Sequence, residues 1–360
     1  MIKKKLFILV LFLSISLWSQ DQNKLYKDTL EQLNCMLKDS CQLSFKKAVI
    51  SVENAYYNNR LDTIGFNFEI NRLSSFTKSM VDHIKLKYQG RDSLKVKKYA
   101  ALFSVVIDTI PIADKDGVMY EYIPYTYDFE DIWGLKNWDF MFVSKLLETG
   151  KGNCHSLPYL YKILAEEIGA DAHLAIAPNH IYVKHQNEID GWYNTELTSG
   201  IFPNDAWLMA SGYIHLDAIT NKMYMEALTD KQSVSMCIID LAQGYNKIFP
   251  DNNGEFVMRA CQIALQYYPH YINGRILQAE TKKKIFEKEV KKDFDVFTKE
   301  VSEDDYLRLQ FLEIQHEYVS IHESGYRRMP EKMYLDWLTS LKKERKKYEN
   351  KKITNPEKSN

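Results

Sequence analysis

The sequence predicts an α+β fold, and three observations favour it. The chain has 360 residues, of which 45% are hydrophobic and 26% charged, a composition typical of a globular protein and not of a disordered, collagen-like or polytopic membrane protein. Glycine (14) and proline (9) are scarce, which favours long helices. Apolar residues recur at helical spacing in both outer parts of the chain, whereas three strand-like runs occupy the middle. The length allows two domains or one large one.

The first twenty residues are interpreted as a secretory signal peptide. Three lysines at positions 3 to 5 precede an apolar run from Leu6 to Trp18, which is too short to span a bilayer comfortably. Cleavage after Ser19 or Gln20 is expected, and an uncleaved N-terminal anchor is the alternative. The mature protein is therefore expected to be periplasmic or secreted, without stable membrane insertion. The formal net charge of −1 gives no general reason to expect nucleic acid as a partner.

Helices are predicted on both sides of the central region. In the N-terminal helical region, residues 21–135, helices are expected over 24–60 and 95–108, followed by an extended segment at 118–122. The C-terminal region, residues 233–350, is again helical and loosely resembles a pair of tetratricopeptide-type helices, so a protein partner could bind there. The last residues, 351–360, are a polar tail.

The central region, residues 136–232, changes pattern to helix, strand, strand, strand. A short helix over Phe140–Leu147 ends at the glycine turn 150–152, and a longer helix opens at Asn153 and is closed by Gly169. Three strand-like runs follow, at Ala172–Ala177, His180–His185 and Gly191–Leu197.

Cys154 is the candidate nucleophile of this region. Free backbone N–H groups and the helix dipole stabilise a thiolate at the start of a helix, which lowers the thiol pKa. Such a thiolate needs a base and a group that orients the base. His180 begins a strand, and Asn194 and Glu196 share one face of the next strand. An antiparallel pairing would place a polar side chain beside His180. A buried structural thiol is the alternative interpretation of Cys154.

Three segments together resemble the transglutaminase-like superfamily, which shares its core with papain-type thiol enzymes. Gly152–Leu157 is similar to its nucleophile helix, Pro178–Val183 to its histidine strand, and Gly191–Thr198 to the strand that ends in the third catalytic residue. The family usually has Asp where Glu196 stands, and Asn194 remains an alternative. The resemblance covers about residues 140–200 and implies a core in which the nucleophile helix packs on a small antiparallel sheet.

The resemblance implies an amide-directed acyl-transfer enzyme with a thioester intermediate. Hydrolysis of a peptide or isopeptide bond is the first expectation, and transfer of the acyl group to an amine is the second. The oxyanion hole would use the Cys154 N–H and a second donor from Asn137 or Trp138, with Asn153 beside the nucleophile. A non-catalytic protein-binding module with an inactive core is the alternative from a different class. No metal or other cofactor is expected, because no CxxC or HExxH motif is present.

The five cysteines leave at least one thiol outside any intramolecular disulfide. Cys35 and Cys41 can pair only if the helix breaks near residues 39–40, and Cys237 and Cys261 can meet across a helix hairpin. If both pairs form, Cys154 is the remaining free thiol.

Overall fold

The computed structural model describes residues 21–113, 116–291, 303–340 and 343. The fold combines helices with small sheets, with 59% of residues helical and 10% in strands, which confirms the predicted α+β class. The predicted signal peptide (1–20) and polar tail (351–360) lie outside the described residues. Among the described residues, no helix is long and apolar enough to cross a membrane.

The helices and strands follow one another in this order along the chain: α1 (21–37), α2 (Phe45–Tyr56), α3 (Thr63–His83), α4 (Ser93–Ile107), β1 (Ile110–Ala113), β2 (Met119–Tyr122), β3 (Thr126–Tyr127), a 3₁₀ helix (Trp138–Met141), α5 (Val143–Thr149), β4 (Lys151–Gly152), α6 (Ser156–Ile168), β5 (His173–Ala177), β6 (His180–Asn187), β7 (Gly191–Thr195), α7 (Asp205–Ser211), α8 (Leu216–Thr220), α9 (Asp230–Ile248), α10 (Glu255–Tyr267), α11 (Ile272–Val290), α12 (Asp305–Glu323) and α13 (331–340).

The chain divides into two compact units. Of the described residues, 21–62, 230–291 and 303–320 belong to one unit, and 63–113, 116–229, 321–340 and 343 belong to the other. This division differs from the predicted domain limits at 135 and 233, because α13 belongs to the unit that contains the central region. The predicted limits followed the order of the sequence, and they therefore assigned segments of one unit to three different domains.

The first unit is helical, with α9 and α10 packed together, α2 on α9, and α11 on α10. The predicted helix over 24–60 is two helices, because the chain leaves α1 after residue 37 through Asp39 in the left-handed conformation (φ 57°). That break lets Cys35 and Cys41 form a disulfide, as the sequence required. The proposed Cys237–Cys261 bond is wrong: neither thiol forms a disulfide, and both are buried in the α9–α10 region.

The second unit is built on α6 and a three-stranded antiparallel sheet in the order β5-β6-β7. The α6 side chains Leu160, Tyr161 and Leu164 are fully buried, and α3 and α4 also pack against α6. Gly169 caps α6 in the left-handed conformation (φ 62°), as the sequence predicts. The sheet register pairs Ala177 with His180 and Val183 with Thr195. These pairings bring the start of β6 and the end of β7 to one end of the sheet.

Candidate functional site

The chain before Cys154 is shaped by two glycines. Gly150 ends α5 with a left-handed backbone (φ 70°), a conformation that costs glycine little. Gly152 lies so close to the next helix that an added Cβ would meet Ser156 Oγ at 2.7 Å and Leu146 Cδ1 at 2.8 Å. A larger residue would therefore have to displace the Ser156 and Leu146 side chains.

Asn153 orders the turn before α6. Its Oδ1 accepts hydrogen bonds from the backbone N–H groups of His155 (2.9 Å) and Ser156 (3.1 Å), a local side-chain-to-backbone turn. α6 begins at Ser156, three residues later than predicted, with His155 at its N-cap and Cys154 in the turn directly before it. The Asn153 side chain therefore holds the turn that contains Cys154.

His180 is presented by a two-residue hairpin. Pro178 and Asn179 connect β5 to β6, and Asn179 adopts a left-handed backbone (φ 57°), the pair of residues that a type II turn favours. The Asn179 carbonyl oxygen lies 3.7 Å from Cys154 Sγ. The hairpin therefore carries His180 to the N-terminal end of α6.

Glu196 orients His180. The Nε2–H of His180 donates to Glu196 Oε2 at 2.6 Å, and the other carboxylate oxygen accepts from the backbone N–H of Thr198 at 2.7 Å. Both side chains are almost completely buried. A backbone bridge between Glu196 and Ile201 closes the following loop. Glu196 is therefore held on both carboxylate oxygens, and Nδ1 of His180 faces the Tyr334 hydroxyl at 3.5 Å.

Asn194 lies apart from His180. It pairs with Lys184 in the sheet, and its side-chain amide donates to the carbonyl of Pro203 (3.0 Å) and to Asp205 Oδ1 (2.7 Å). In this register Glu196, two residues after Asn194, lies beside His180. The alternative that Asn194 orients the histidine is thus corrected in favour of Glu196.

The thiol and imidazole stabilise each other's charged forms. Burial alone would raise the pKa of Cys154, but hydrogen bonding to His180 and the charge of its ring outweigh burial, so the pKa of Cys154 is lowered. Burial alone would lower the pKa of His180, but the charge of Glu196 and hydrogen bonds with Cys154 and Glu196 raise it to about 10. The arrangement therefore favours a thiolate–imidazolium pair at neutral pH.

Helix α13 covers this pair. The Tyr334 hydroxyl lies 3.2 Å from Cys154 Sγ and 3.5 Å from His180 Nδ1. The Trp337 ring meets the His180 ring edge-on at 4.6 Å between centroids, and its indole N–H donates to Ser211 Oγ at 3.1 Å. Tyr334 is 0% exposed and Cys154 only 7%. α13 therefore occupies the space above the thiol. Sequence reasoning missed both aromatic residues.

Two further aromatic residues complete the surroundings of Cys154. β3 pairs in parallel with β4, which sets Tyr127 opposite Gly152. Burial is the main cause that raises the pKa of the Tyr127 phenol, and the charge of the neighbouring Cys154 is the second. The Trp133 ring packs on Tyr334 at 4.7 Å between centroids. The thiol therefore lies in an aromatic enclosure.

The proposed second oxyanion donors lie just upstream. The backbone N–H of Asn137 donates to Asp131 Oδ2 at 2.9 Å, so this group is already engaged, and a donor role for the Asn137 side-chain amide stays a prediction. Trp138 opens the 3₁₀ helix, and its donor role stays a prediction. The Cys154 N–H has no acceptor among the described residues.

His180 is hydrogen-bonded to Glu196, and the Tyr334 hydroxyl lies within reach of both His180 Nδ1 and Cys154 Sγ. Within the described residues, no cluster of His, Cys, Asp and Glu side chains could hold a metal ion. No protein family, curated protein or solved structure matches the chain.

Proposed function

We propose that the protein is a cysteine-dependent acyl-transfer enzyme that cleaves a peptide or isopeptide amide bond. The observation that carries the proposal is the buried chain of contacts from Glu196 through His180 to Cys154, with the Cys154 pKa lowered and the His180 pKa raised. The same three residues carry the resemblance to the transglutaminase-like superfamily, and α6 packed beside an antiparallel sheet agrees with the core of that family.

The residues support a two-step reaction. The Cys154 thiolate attacks the amide carbonyl carbon, forming a C–S bond, while the Cys154 backbone N–H stabilises the oxyanion. The imidazolium Nδ1–H of His180 protonates the leaving amine as the C–N bond breaks, which leaves a thioester. His180 then takes a proton from water, whose oxygen attacks the thioester and releases the carboxylic acid and the thiolate. An amine in place of water gives acyl transfer.

Substrate access requires α13 to move. Tyr334 occupies the position beside Sγ that a substrate carbonyl must take, and the thiol is almost inaccessible. The closed arrangement is also the observation that favours the alternative function, a binding module whose thiol site is permanently filled by its own C-terminal helix.

Export remains part of the proposal. It is based on the signal-like N-terminal sequence, and the Cys35–Cys41 disulfide is compatible with an oxidising compartment.

Thiol labelling tests the proposal. Iodoacetamide should label Cys154 at pH 6 far faster than a thiol of ordinary pKa near 8.5, and His180→Ala should slow this reaction. Because α13 limits access, the same rates are measured in a Trp337→Ala/Leu338→Ala variant, which removes two buried side chains of α13 but keeps the Tyr334 hydroxyl, with Asp336→Ala on the exposed side of α13 as the matched control.

The enzyme proposal fails if the opened variant labels no faster than a free thiol. If labelling is fast, wild type, the opened variant and Cys154→Ala are compared on a mixture of periplasmic peptides by mass spectrometry. Cleavage or amine transfer that depends on Cys154 supports the enzyme. A reactive thiol that turns over no peptide in either form favours the binding module.

A further inference from the structure

The Cys154 backbone N–H alone makes an incomplete oxyanion hole. Acyl transfer passes through a tetrahedral intermediate with a negatively charged oxygen, which N–H and O–H groups held beside the reacting carbon stabilise. Asn137 is an exposed residue, so water competes for its side-chain amide. A buried hydroxyl beside Sγ is a stronger second donor, because electrostatic interactions gain strength where water is excluded.

Backbone pairing fixes Tyr127 beside the turn that carries Cys154. β3 and β4 run parallel, with Tyr127 opposite Gly152. The N–H groups on either side of Tyr127 donate to carbonyls of the glycine turn, at 2.9 Å for Thr126 and 2.7 Å for Asp128. Tyr127 is therefore held on both sides against the segment that ends two residues before the nucleophile.

The hydroxyl group of Tyr127 is buried next to the thiol. After burial itself, Cys154 and Tyr334 are the groups that shift the pKa of Tyr127 most. No hydrogen bond of good geometry joins the hydroxyl to either of them or to another residue in the described ranges. A buried hydroxyl without such a bond is rare and requires an explanation. An oxyanion, which forms beside Sγ only during the reaction, would supply the acceptor.

The Tyr127 phenol keeps its proton at neutral pH. Burial first, and the charge of Cys154 second, hold the pKa of Tyr127 well above its ordinary value of 10. A protonated phenol can donate to an oxyanion, whereas a phenolate would repel it. Tyr127 is therefore in the protonation state that an oxyanion donor needs.

Tyr334 carries the competing hydroxyl, but its helix has to move. It lies 3.2 Å from Cys154 Sγ, on the helix that leaves the thiol only 7% exposed. A substrate can reach Sγ only when α13 withdraws, and Tyr334 then withdraws with it. Tyr127 belongs to β3 and stays paired opposite Gly152. In the open form, Tyr127 is thus the hydroxyl that remains beside the thiol.

We propose that Tyr127 is a catalytic residue whose phenol O–H completes the oxyanion hole with the Cys154 backbone N–H. The inference rests on the proposed acyl-transfer function. As the C–S bond forms, the π electrons of the carbonyl move to its oxygen, and Tyr127 donates a hydrogen bond to this oxyanion without transferring its proton. When the leaving group departs, the electrons return to the carbonyl and the hydrogen bond weakens.

Two reactions of the same thiol separate an oxyanion donor from a structural tyrosine. p-Nitrophenyl acetate acylates the thiolate: a C–S bond forms at the carbonyl carbon, an oxyanion appears, and the C–O bond breaks to release p-nitrophenolate. Iodoacetamide alkylates the thiolate at a saturated carbon, with loss of iodide and no oxyanion. The ratio of the two rate constants, each taken on its pH plateau, reports oxyanion stabilisation separately from thiol pKa and access.

Both rates are measured in the whole protein with α13 opened by Trp337→Ala/Leu338→Ala. Removal of one oxyanion donor slows enzymes by about 100- to 1000-fold, and because an activated ester needs less stabilisation, adding Tyr127→Phe should lower the ratio by at least about tenfold. Adding Tyr125→Phe, a matched control whose phenol has Tyr122 as a neighbour, should leave the ratio unchanged.

The outcomes distinguish this inference from the proposed function. An unchanged ratio in Tyr127→Phe overturns the assignment, and so does a fall that Tyr334→Phe shows in its place. Release of p-nitrophenolate that is no faster than in Cys154→Ala overturns the acyl-transfer function and the inference with it. Release that depends on Cys154, with an unchanged ratio in Tyr127→Phe, keeps the function and removes Tyr127 from it.

Discussion

Removing one hydroxyl group tests how Tyr334 acts on the thiol. In Tyr334→Phe the ring and its packing on Trp133 stay, while the oxygen 3.2 Å from Cys154 Sγ is lost. Burial opposes ionisation of Cys154, and the hydrogen bond from Tyr334 is one of the interactions that overcome it. The variant should therefore have a higher Cys154 pKa than wild type.

The expected size of this shift follows from the strength of the lost bond. A hydrogen bond to a charged group contributes about 1.5–3 kcal/mol, and about 1.4 kcal/mol corresponds to one pKa unit. Because Tyr334 and Cys154 are both buried, solvent replaces little of the lost bond. We expect the Cys154 pKa to rise by about one to two units.

The pKa is read from the pH dependence of the thiolate's ultraviolet absorbance, with each variant compared with its own Cys154→Ala counterpart. The midpoint should move to higher pH in Tyr334→Phe and stay in place in Asp336→Ala, which alters an exposed residue of the same helix. A midpoint that stays or moves to lower pH would refute the reasoning, since Tyr334 would then not donate to the thiolate in solution.

Three more predictions concern the remaining titrating and crosslinked groups. Glu196→Gln removes the charge that helps to raise the His180 pKa, so that pKa should fall in an NMR titration and labelling at pH 6 should slow. Burial lowers the pKa of His185 to about 3, so the unfolded chain binds one more proton than the folded protein between about pH 6.5 and 3. The free energy of unfolding should therefore fall with falling pH by about 1.4 kcal/mol per pH unit in this range. Denaturant unfolding should show that this slope is absent in His185→Gln. Cys41→Ser removes the disulfide to Cys35, six residues away, and should lower the free energy of unfolding by about 2 kcal/mol. The Tm should therefore fall, and an unchanged Tm would contradict the prediction.

Local sequence patterns predicted most of the helices and strands that were located correctly. The three central strands and α6 were predicted to within three residues, because glycine, proline and apolar alternation act over a few positions. α3 was missed, although Phe66, Ile70 and Leu73 already show helical spacing and are buried. The signal was present in the sequence but diluted by polar neighbours.

The odd number of cysteines indicated less well than the location of each cysteine in the chain which thiols pair and which is reactive. Cys35–Cys41 forms because the chain turns locally between the two residues. Cys237 and Cys261 lie on helices that pack together, yet they form no disulfide, because helix packing does not by itself bring two side chains to bonding geometry. The special character of Cys154 therefore comes from its helix start and from His180, and not from being the only thiol left over.

Accessibility is the property of the site that local sequence reasoning does not reach. Tyr334, Trp337 and Leu338 are the buried positions of α13, and their spacing by three and four residues indicates an amphipathic helix. That pattern shows that the helix packs somewhere, but the partner is Cys154, 180 residues earlier in the chain. The order Cys, His, Glu predicts which chemistry the core could perform. Whether a substrate can reach the thiol depends on the position of α13, so the reactivity of Cys154 should follow the opening of this helix as much as the pKa of the thiol.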